Sequence, residues 1–309
     1  MSESFQDSLA KLITERDELK QHGARLQALA DQIAYPPGHH YSPLVDVHDS
    51  SVIRATRNRL LAPMPTGIQL DLNAMERLLQ RLAAHYKYWP FQSNLPSHHR
   101  FDPVNPFFGC YDATIYFCIL MEYKPRRVIE VGCGNSSCLL LDTKGQFFVN
   151  SSLSITFIDP AFDQLGVLAG FPFGTTDTIF RTRLQDVPLH IFDDLGENDI
   201  LFIDSSHVCK TGSDVHFYLF DVLPRLKPGV LVHVHDILYP FEYPAEWVID
   251  EKRSWNETYF IRAFLQNNSA FEVIFWNNLV YHHAKQVLAA FMPKCLSNEG
   301  GSLWLRKSQ

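Results

Sequence analysis

The sequence predicts an α/β protein in which a doubly wound, mostly parallel sheet carries helices on both faces and follows an N-terminal helical extension. Short β-branched runs alternate with helical stretches from about residue 111 onward. These runs are continuously apolar, which is typical of parallel strands buried on both faces. The final two apolar runs flank a short helical stretch and favour a closing antiparallel pair. The 309 residues therefore divide into an extension, 1–104, and an α/β domain, 105–309.

The extension begins with a helix predicted over residues 2–34, before the breakers Pro36 and Pro37. Apolar residues recur in it at every seventh position, namely Leu12, Leu19, Leu26 and Ile33. The positions three residues later are only partly apolar, so half of a coiled-coil seam is present. Two interpretations follow: the helix packs on its own domain, or it is an arm that joins two copies in a homodimer. A second amphipathic helix is predicted at 71–88.

Seven apolar runs predict the strands of the sheet. They cover residues 127–131, 154–158, 178–183, 199–203, 229–234, 271–281 and 302–306. Helices are predicted between them, including 214–226, 260–265 and 284–291. Polar residues follow most of these strands, and in open α/β sheets ligands bind beyond the carboxyl ends of the strands. We therefore expect one site at that edge of the sheet.

Composition excludes several classes of protein. The chain has 27 basic and 34 acidic residues, which argues against general nucleic-acid binding because phosphates require a basic footprint. No apolar run is long enough to predict a membrane span, and the polar N-terminus does not resemble a secretory signal. The six cysteines form no CxxC pair, which disfavours a zinc site made of cysteines alone. We expect a cytoplasmic protein with no membrane partner.

A glycine turn and acidic residues form the first candidate cluster. Glu130 precedes the turn Gly132-Cys133-Gly134 between a predicted strand and a helix. Glycine lets the backbone turn tightly and approach a ligand. Asp159 ends the next strand, where a carboxylate can accept both hydroxyls of a ribose, and Gln185-Asp186 follows the third strand, where it could meet an adenine amino group.

This cluster resembles the class I S-adenosylmethionine-dependent methyltransferases over roughly residues 105–309. The resemblance implies a seven-stranded Rossmann-like sheet with S-adenosylmethionine as cofactor. It implies that Gly132 and Gly134 contact the amino-acid part of the cofactor, that Asp159 binds the ribose, and that Asp186 binds the adenine. The other implied cofactor contacts are Glu130, Asn135, Ser136 and Asp112. For Asp112 the alternative is an N-cap of the following helix.

The second candidate cluster lies after the fourth and fifth strands. Asp204 and His207 follow one strand, and His235-Asp236 follow the next. Adjacent strands are about 5 Å apart, so these groups could reach one ion. Carboxylates favour magnesium or manganese, whereas a histidine among them favours a transition metal such as manganese or iron.

The same residues resemble the metal-dependent small-molecule O-methyltransferases related to macrolide-sugar methyltransferases. The stretches 203–214 and 223–229 resemble methyltransferase domain family 24. The resemblance implies Asp204, His235 and Asp236 as ligands of a divalent metal, and His207 as the general base. Those relatives carry a carboxylate where this chain has His235, so magnesium is less favoured here. Lys210 is a second candidate base, or a solvated side chain.

An aromatic stretch follows the fifth strand. It predicts a lid over a small-molecule acceptor, with Glu242, Tyr243 and Trp247 as substrate contacts; the alternative is a packed crossover connection. The function predicted is metal-assisted O-methylation of a small molecule, as in small-molecule biosynthesis. Two alternatives remain: iron-dependent oxidation on the same fold, from two histidines and a carboxylate, and a non-catalytic methyltransferase-like subunit that pairs through its N-terminal helix.

Overall fold

Two compact units make up the chain in the computed structural model, which describes residues 2–91, 99–149, 151–166 and 173–309. The first unit is Met1–Arg54 with Glu246–Ser254, and the second is Ala55–Ala245 with Trp255–Gln309. The predicted boundary at 104/105 does not coincide with this division, because helix Leu72–Tyr86 packs on helix Cys110–Tyr123 within the second unit. No helix in the described ranges combines the length and apolar character needed to cross a bilayer.

Helix α1 (Ser2–Ala30) is the main element of the first unit. It ends four residues earlier than predicted, where the chain turns at Asp31–Gln32 before Pro36. Helix α2 (Ser50–Arg57) begins in the first unit and ends in the second. Every side chain of α1 from Asp7 to Ala30 is exposed.

A seven-stranded sheet forms the second unit. Its strands are β1 (Arg127–Val131), β2 (Ser154–Ile158), β3 (Thr178–Phe180), β4 (Ile200–Ile203), β5 (Leu231–Val234), β6 (Phe271–Trp276) and β7 (Leu303–Lys307). They lie in the order β3-β2-β1-β4-β5-β7-β6. Strands β1 to β5 are parallel, and β7 runs antiparallel to both β5 and β6. The predicted fold class is therefore confirmed.

Helices flank this sheet as the apolar pattern requires. They are α3 (Leu72–Tyr86), α4 (Cys110–Tyr123), α5 (Asn135–Phe147), α6 (His190–Asp193), α7 (Asp214–Phe217), α8 (Glu257–Leu265), α9 (Asn277–His283) and α10 (Lys285–Phe291). Helix α3 buries one stripe, which includes Met75, Leu78 and Leu82. Helix α4 is buried on all sides from Tyr111 to Leu120, as expected of a helix that is mostly apolar around its circumference.

Two predicted elements were wrong in part. The strand predicted over 271–281 ends at Trp276, and α9 follows it. Asn277 and Asn278 are buried at this junction, where Asn278 Oδ1 accepts a hydrogen bond from the backbone of Tyr239. These tertiary partners for the buried amides favour the helix over a longer strand. The helix predicted over 214–226 divides into α7, a π-helical turn and a 3₁₀ turn.

The strand order positions the site. It reverses direction at β1, whose neighbours are β2 on one side and β4 on the other. Loops after β1 and β4 therefore leave the sheet toward opposite faces and open a crevice between them. The glycine turn and Asp204 follow these two strands, so the fold brings both predicted clusters to one edge.

Candidate active site

A cavity of about 600 Å³ opens at the carboxyl ends of β1, β2 and β4. Its volume lies within the range of small-molecule and cofactor sites. The polar and glycine residues that line it are Gly132, Asp159, Arg183, Gln185, Asp204, Ser205, Ser206, Lys210, Gly212, Ser213 and Asp214. Both predicted clusters thus contribute to one cavity.

Gly132 allows the close approach of β1 and β4 at the cavity floor. Its φ of +78° lies in the left-handed region, and a Cβ added there would fall 1.7 Å from the carbonyl oxygen of Asp204. No other residue type fits without moving the backbone. Gly134 has extended backbone, caps α5 and lies outside the cavity lining.

Glu130 holds the start of α5, next to the glycine turn, through hydrogen bonds. Its Oε1 accepts hydrogen bonds from Ser136 Oγ at 2.6 Å and from Ser137 Oγ at 2.9 Å, at the start of α5 beside Asn135. Its Oε2 is buried without a hydrogen-bond partner among the described residues. Burial raises the pKa of Glu130 to about 8. Glu130 and Ser136 therefore support the cofactor turn, and Oε2 is available for one further hydrogen bond.

Asp159 is held between the loops that follow β1 and β2. Its Oδ2 accepts a hydrogen bond from the backbone of Cys133 at 2.9 Å, and its Oδ1 accepts one from the backbone of Ala161 at 2.7 Å. Each carboxylate oxygen has a second lone pair. Asp159 thus faces the cavity in a fixed orientation and can still accept from a ligand.

Gln185, and not Asp186, lines the cavity after β3. The carboxylate of Asp186 lies against the guanidinium of Arg183 at 2.8 Å. Gln185 Nε2 donates to the carbonyl of Gly212 at 2.7 Å, whereas its Oε1 is buried with no partner in the described ranges. The sequence located this turn, but the 3₁₀ turn Leu184–Asp186 decides which side chain enters the cavity.

Asp112 has a structural position. Its Oδ1 accepts hydrogen bonds from the backbones of Gly301 and Ser302 and from the side chain of Asn277, each at 2.9 Å. It is buried and does not line the cavity. Asp112 therefore fixes the loop before β7, and the structure does not place it with the other cofactor candidates.

His207 lies in a cluster of carboxylates. Its Nδ1 is 2.7 Å from Glu257 Oε2, and Tyr218 Oη donates to Glu257 Oε1 at 2.6 Å. Its Nε2 lies 3.4 Å from Asp204 Oδ1 and 3.6 Å from Asp236 Oδ2. Glu257 therefore orients the ring, so that Nε2 points toward the two aspartates.

Sequence analysis missed Glu257 and Tyr218. Glu257 opens α8, 50 residues after His207, where an acidic residue is common because it interacts favourably with the helix dipole. Nothing in the sequence separates this buried glutamate from a solvated one. Trp255, whose ring centroid lies 4.2 Å from that of His207, was treated only as part of the aromatic loop.

The carboxylates change the protonation of the cluster. Burial alone would lower the pKa of His207, but hydrogen bonds to Asp204 and Glu257 outweigh it and raise that pKa well above 6.5. Loss of solvent alone would raise the pKa of Asp204, but His235 and His207 outweigh it and lower that pKa to about 2. Burial raises the pKa of Asp236. The carboxylates therefore favour the protonated form of His207 beside an ionised Asp204.

Two residues of this cluster have left-handed backbone. The φ of His207 is +58° and that of Asp236 is +56°, a region that costs roughly 1–2 kcal/mol for a residue with a Cβ. The carbonyl of His207 accepts hydrogen bonds from the backbones of Asn256 and Glu257, each at 3.1 Å. Surrounding structure thus holds His207 in a strained conformation, which is common at functional sites.

The predicted metal ligands lie close together but do not form a metal site. His235 is buried, and its Nε2 lies 3.6 Å from Asp236 Oδ1. Within the described ranges, no group of three or more His, Cys, Asp or Glu side chains is arranged to hold a metal ion. His233 is buried beside His235, with their ring centroids 5.5 Å apart, and its Nε2 lies 2.9 Å from Ser302 Oγ while its ring stacks on Phe202. The residues present therefore do not fit a metal in this arrangement.

Of the three predicted substrate residues, Glu242 and Tyr243 contact the same helix, α8, and Trp247 does not belong to their unit. Glu242 Oε1 accepts from Tyr259 Oη at 2.6 Å, and buried Tyr243 Oη accepts from the backbone of Thr258 at 3.2 Å. Both residues thus contact α8, which carries Glu257. Trp247 belongs to the first unit, where the guanidinium of Arg253 lies 4.6 Å from its ring centroid.

A doubly wound sheet with a glycine turn after β1 and a carboxylate after β2 defines an α/β domain that binds a nucleoside-containing cofactor. The model of methyltransferase domain family 24 matches residues 129–237. This segment contains the glycine turn, Asp159, Asp204 and His207, and it is similar to a methyltransferase domain over less than half of the chain. The resemblance derived from the sequence is confirmed, and it supports S-adenosylmethionine-dependent methyl transfer as the class of activity.

Several known proteins have a related sequence or structure. An uncharacterized protein of Archaeoglobus fulgidus is 28% identical over 173 residues, which are 54% of this chain and 76% of that protein. The SAH-bound Podospora anserina methyltransferase PaMTH1 is 10% identical, with 74% of this chain and 88% of that chain covered and a TM-score of 0.42. The apo structure of CmcI-N160 is 13% identical, with 73% of this chain and 84% of that chain covered and a TM-score of 0.41. These TM-scores are low, so the assignment rests on the family match.

Proposed function

We propose that this protein transfers the methyl group of S-adenosylmethionine to a hydroxyl of a small-molecule acceptor, with His207 as the general base. The observation that carries the proposal is the cavity in which Gly132, Asp159 and Gln185 lie on one side and the His207 cluster begins at Asp204 on the other. A methyl donor and a proton acceptor would thus meet at one edge of the sheet.

The cofactor candidates fit S-adenosylmethionine on chemical grounds. Gly132 provides space that a Cβ would fill, and Asp159 has lone pairs for ribose hydroxyls. The unpartnered Oε1 of Gln185 is an acceptor suited to the adenine amino group. Glu130 Oε2, which carries the proton of the neutral acid, is a buried donor without a partner among the described residues. When bound, S-adenosylmethionine supplies an electrophilic methyl carbon on a sulfonium. The cavity has no lysine-rich phosphate cradle, and this cofactor has no phosphate.

Proton removal is assigned to His207. In its neutral form Nε2 accepts the proton of the acceptor hydroxyl, while Nδ1 donates to Glu257 and keeps the ring oriented. Glu257 then stabilises the imidazolium, and Tyr218 holds Glu257 in place. Because nearby carboxylates raise the pKa of His207, the basic form becomes populated as the pH rises. The reaction rate should therefore increase with pH. Lys210, which lines the cavity, is the second candidate base.

The experiment combines binding and turnover. Calorimetric titration with S-adenosylmethionine should show binding to the wild-type protein, and radiolabelled methyl transfer should be measured with a panel of hydroxylated small molecules. Binding that is absent in the wild-type protein would overturn the cofactor assignment. Binding without transfer to any hydroxyl, but with transfer to amines, would overturn the acceptor class.

Metal assistance through Asp204, His235 and Asp236 is a separate proposal and supplies no step above. Its support is the chemistry of the donor set, and the described arrangement does not favour it. Activity that survives treatment with EDTA and shows no gain with added magnesium or manganese would exclude it. Stoichiometric iron in protein purified without added metal would instead favour the oxidative alternative.

The six free cysteines support the proposed cytoplasmic location, because thiols stay reduced there.

A further inference from the structure

Helix α1 presents an apolar stripe with no cover within its own unit. The helix has 29 residues, so it is about 43 Å long at 1.5 Å per residue. Its leucines are exposed by 47% to 71%, namely Leu9, Leu12, Leu19, Leu26 and Leu29. A helix of this kind takes most of its stability from packing of its apolar face. A partner of matching length would supply that packing.

The leucines are placed symmetrically about Leu19. Leu12 and Leu26 lie seven residues to either side of it, and Leu9 and Leu29 lie ten residues to either side. In a two-fold symmetric pair, a residue that contacts a second residue is contacted by that residue in return. Two antiparallel copies of α1 that cross near Leu19 would therefore bring Leu12 beside Leu26 and Leu9 beside Leu29 at both ends.

Charge favours the same direction. Residues 2–18 contain five acidic and two basic residues, whereas residues 19–30 contain two basic residues, Lys20 and Arg25, and no acidic ones. A parallel, in-register pair would place the acidic halves side by side. An antiparallel pair places each acidic half beside the basic half of the other helix, which is the favourable arrangement.

The position of Gly23 also favours close packing of a second helix on this face of α1. It lies four residues after Leu19 and three before Leu26, so it is on the same face of the helix. A glycine inside a helix costs about 1 kcal/mol relative to alanine. A second helix that passes close over this face gives that glycine a function, since it leaves room for the leucines of the partner.

We propose that α1 pairs with α1 of a second copy of this chain in an antiparallel arrangement centred near Leu19. The surface is self-complementary, so it closes as a homodimer and leaves no unpaired stripe. The pairing does not depend on the proposed methyl transfer, and each can be tested without the other.

The first measurement is the molar mass of the full chain in solution by size-exclusion chromatography with light scattering. The wild-type protein should have twice the chain mass of 35.5 kDa. The variant Leu19→Lys should have the mass of one chain, because it places two like charges at the centre of the pair. The control Leu61→Lys changes a leucine that is 82% exposed outside α1 and should remain a dimer. A monomeric wild type, or a Leu19→Lys variant that still dimerises, would overturn the proposal.

The second measurement tests direction. Disulfides require Cα atoms within about 7 Å, whereas like positions 12 in an antiparallel pair are separated by about 14 residues, or roughly 21 Å. A mixture of the Leu12→Cys and Leu26→Cys proteins should therefore cross-link on mild oxidation, and neither protein should do so alone. Oxidised wild type gives the background of the native cysteines. Cross-linking of each variant by itself, without a gain in the mixture, would contradict the antiparallel direction.

Discussion

The two sides of the candidate site are built in different ways. On the cofactor side, Glu130, Gly132 and Ser136 lie within seven residues of one another, and Asp159 joins them through a backbone contact at Cys133. On the proton-transfer side, His207 depends on Glu257, 50 residues away, and on Tyr218. The candidate cofactor site therefore depends mainly on a local motif, whereas the protonation of His207 depends on tertiary contacts. Variants on the two sides should therefore change different measured quantities.

The largest expected effect belongs to His207→Ala. Removal of a general base lowers turnover by about 10²–10⁴-fold, while the affinity for S-adenosylmethionine should stay within a few-fold because His207 does not line the cavity floor. Turnover and calorimetric affinity should be measured on the same preparation. The exposed His190 offers a matched control, since His190→Ala should alter neither quantity. Unchanged turnover in His207→Ala would remove this residue from the mechanism.

For Asp159→Ala the expected loss is in the affinity for S-adenosylmethionine. Loss of a carboxylate that would accept two hydrogen bonds from the ribose, each contributing about 1.5–3 kcal/mol, should weaken cofactor binding by about 10²–10⁴-fold. Calorimetric titration measures this change directly. Asp186→Ala serves as the control, because Asp186 does not line the cavity and is paired with Arg183, and its loss should change affinity less than threefold. If the two variants were equivalent, the assignment of the ribose site to Asp159 would be wrong.

A smaller effect is expected for Glu257→Gln. The carboxylate of Glu257 helps to raise the pKa of His207, so its replacement should lower that pKa. The wild-type rate rises as the pH passes upward through the raised pKa, and in the variant this rise should occur at lower pH. Weaker stabilisation of the imidazolium should also reduce the rate at high pH by about tenfold, on the scale of one lost charged hydrogen bond.

Rate profiles against pH are the measurement for this variant. Glu272→Gln, at an exposed position on β6, is the control and should leave the profile unchanged. An identical profile in Glu257→Gln would show that Glu257 only packs against the ring.

The smallest effect on activity, but a clear one on stability, is expected for Glu130→Gln. Burial raises the pKa of Glu130 from 4.5 to about 8, so the folded protein favours the protonated form. This contribution to stability is fully present below pH 4.5 and is lost as the pH rises toward 8. Urea unfolding should show that the wild type loses more stability than Glu130→Gln between pH 5 and pH 9. Equal losses would mean that Glu130 is not buried as a neutral acid.

Much of the fold could be predicted because strands buried on both faces are continuously apolar. Strands β1 and β2 occur at the residues predicted, and β4, β5 and β7 differ by one or two residues. The segment 277–281 could not be assigned, because its conformation depends on hydrogen bonds of Asn277 and Asn278 to residues more than twenty positions away. The local pattern of apolar and polar residues does not predict which distant residues will form such hydrogen bonds.

Local sequence was enough to predict the alternation of strands and helices, the glycine turn, and the polar residues at the strand ends, because short-range periodicity and backbone freedom are local properties. Three features depend instead on tertiary contacts: Gln185 and not Asp186 lines the cavity, Asp112 holds the loop before β7, and Glu257 orients His207. These outcomes depend on which distant groups meet in a low-dielectric interior, where one unpaired polar atom costs as much as a hydrogen bond.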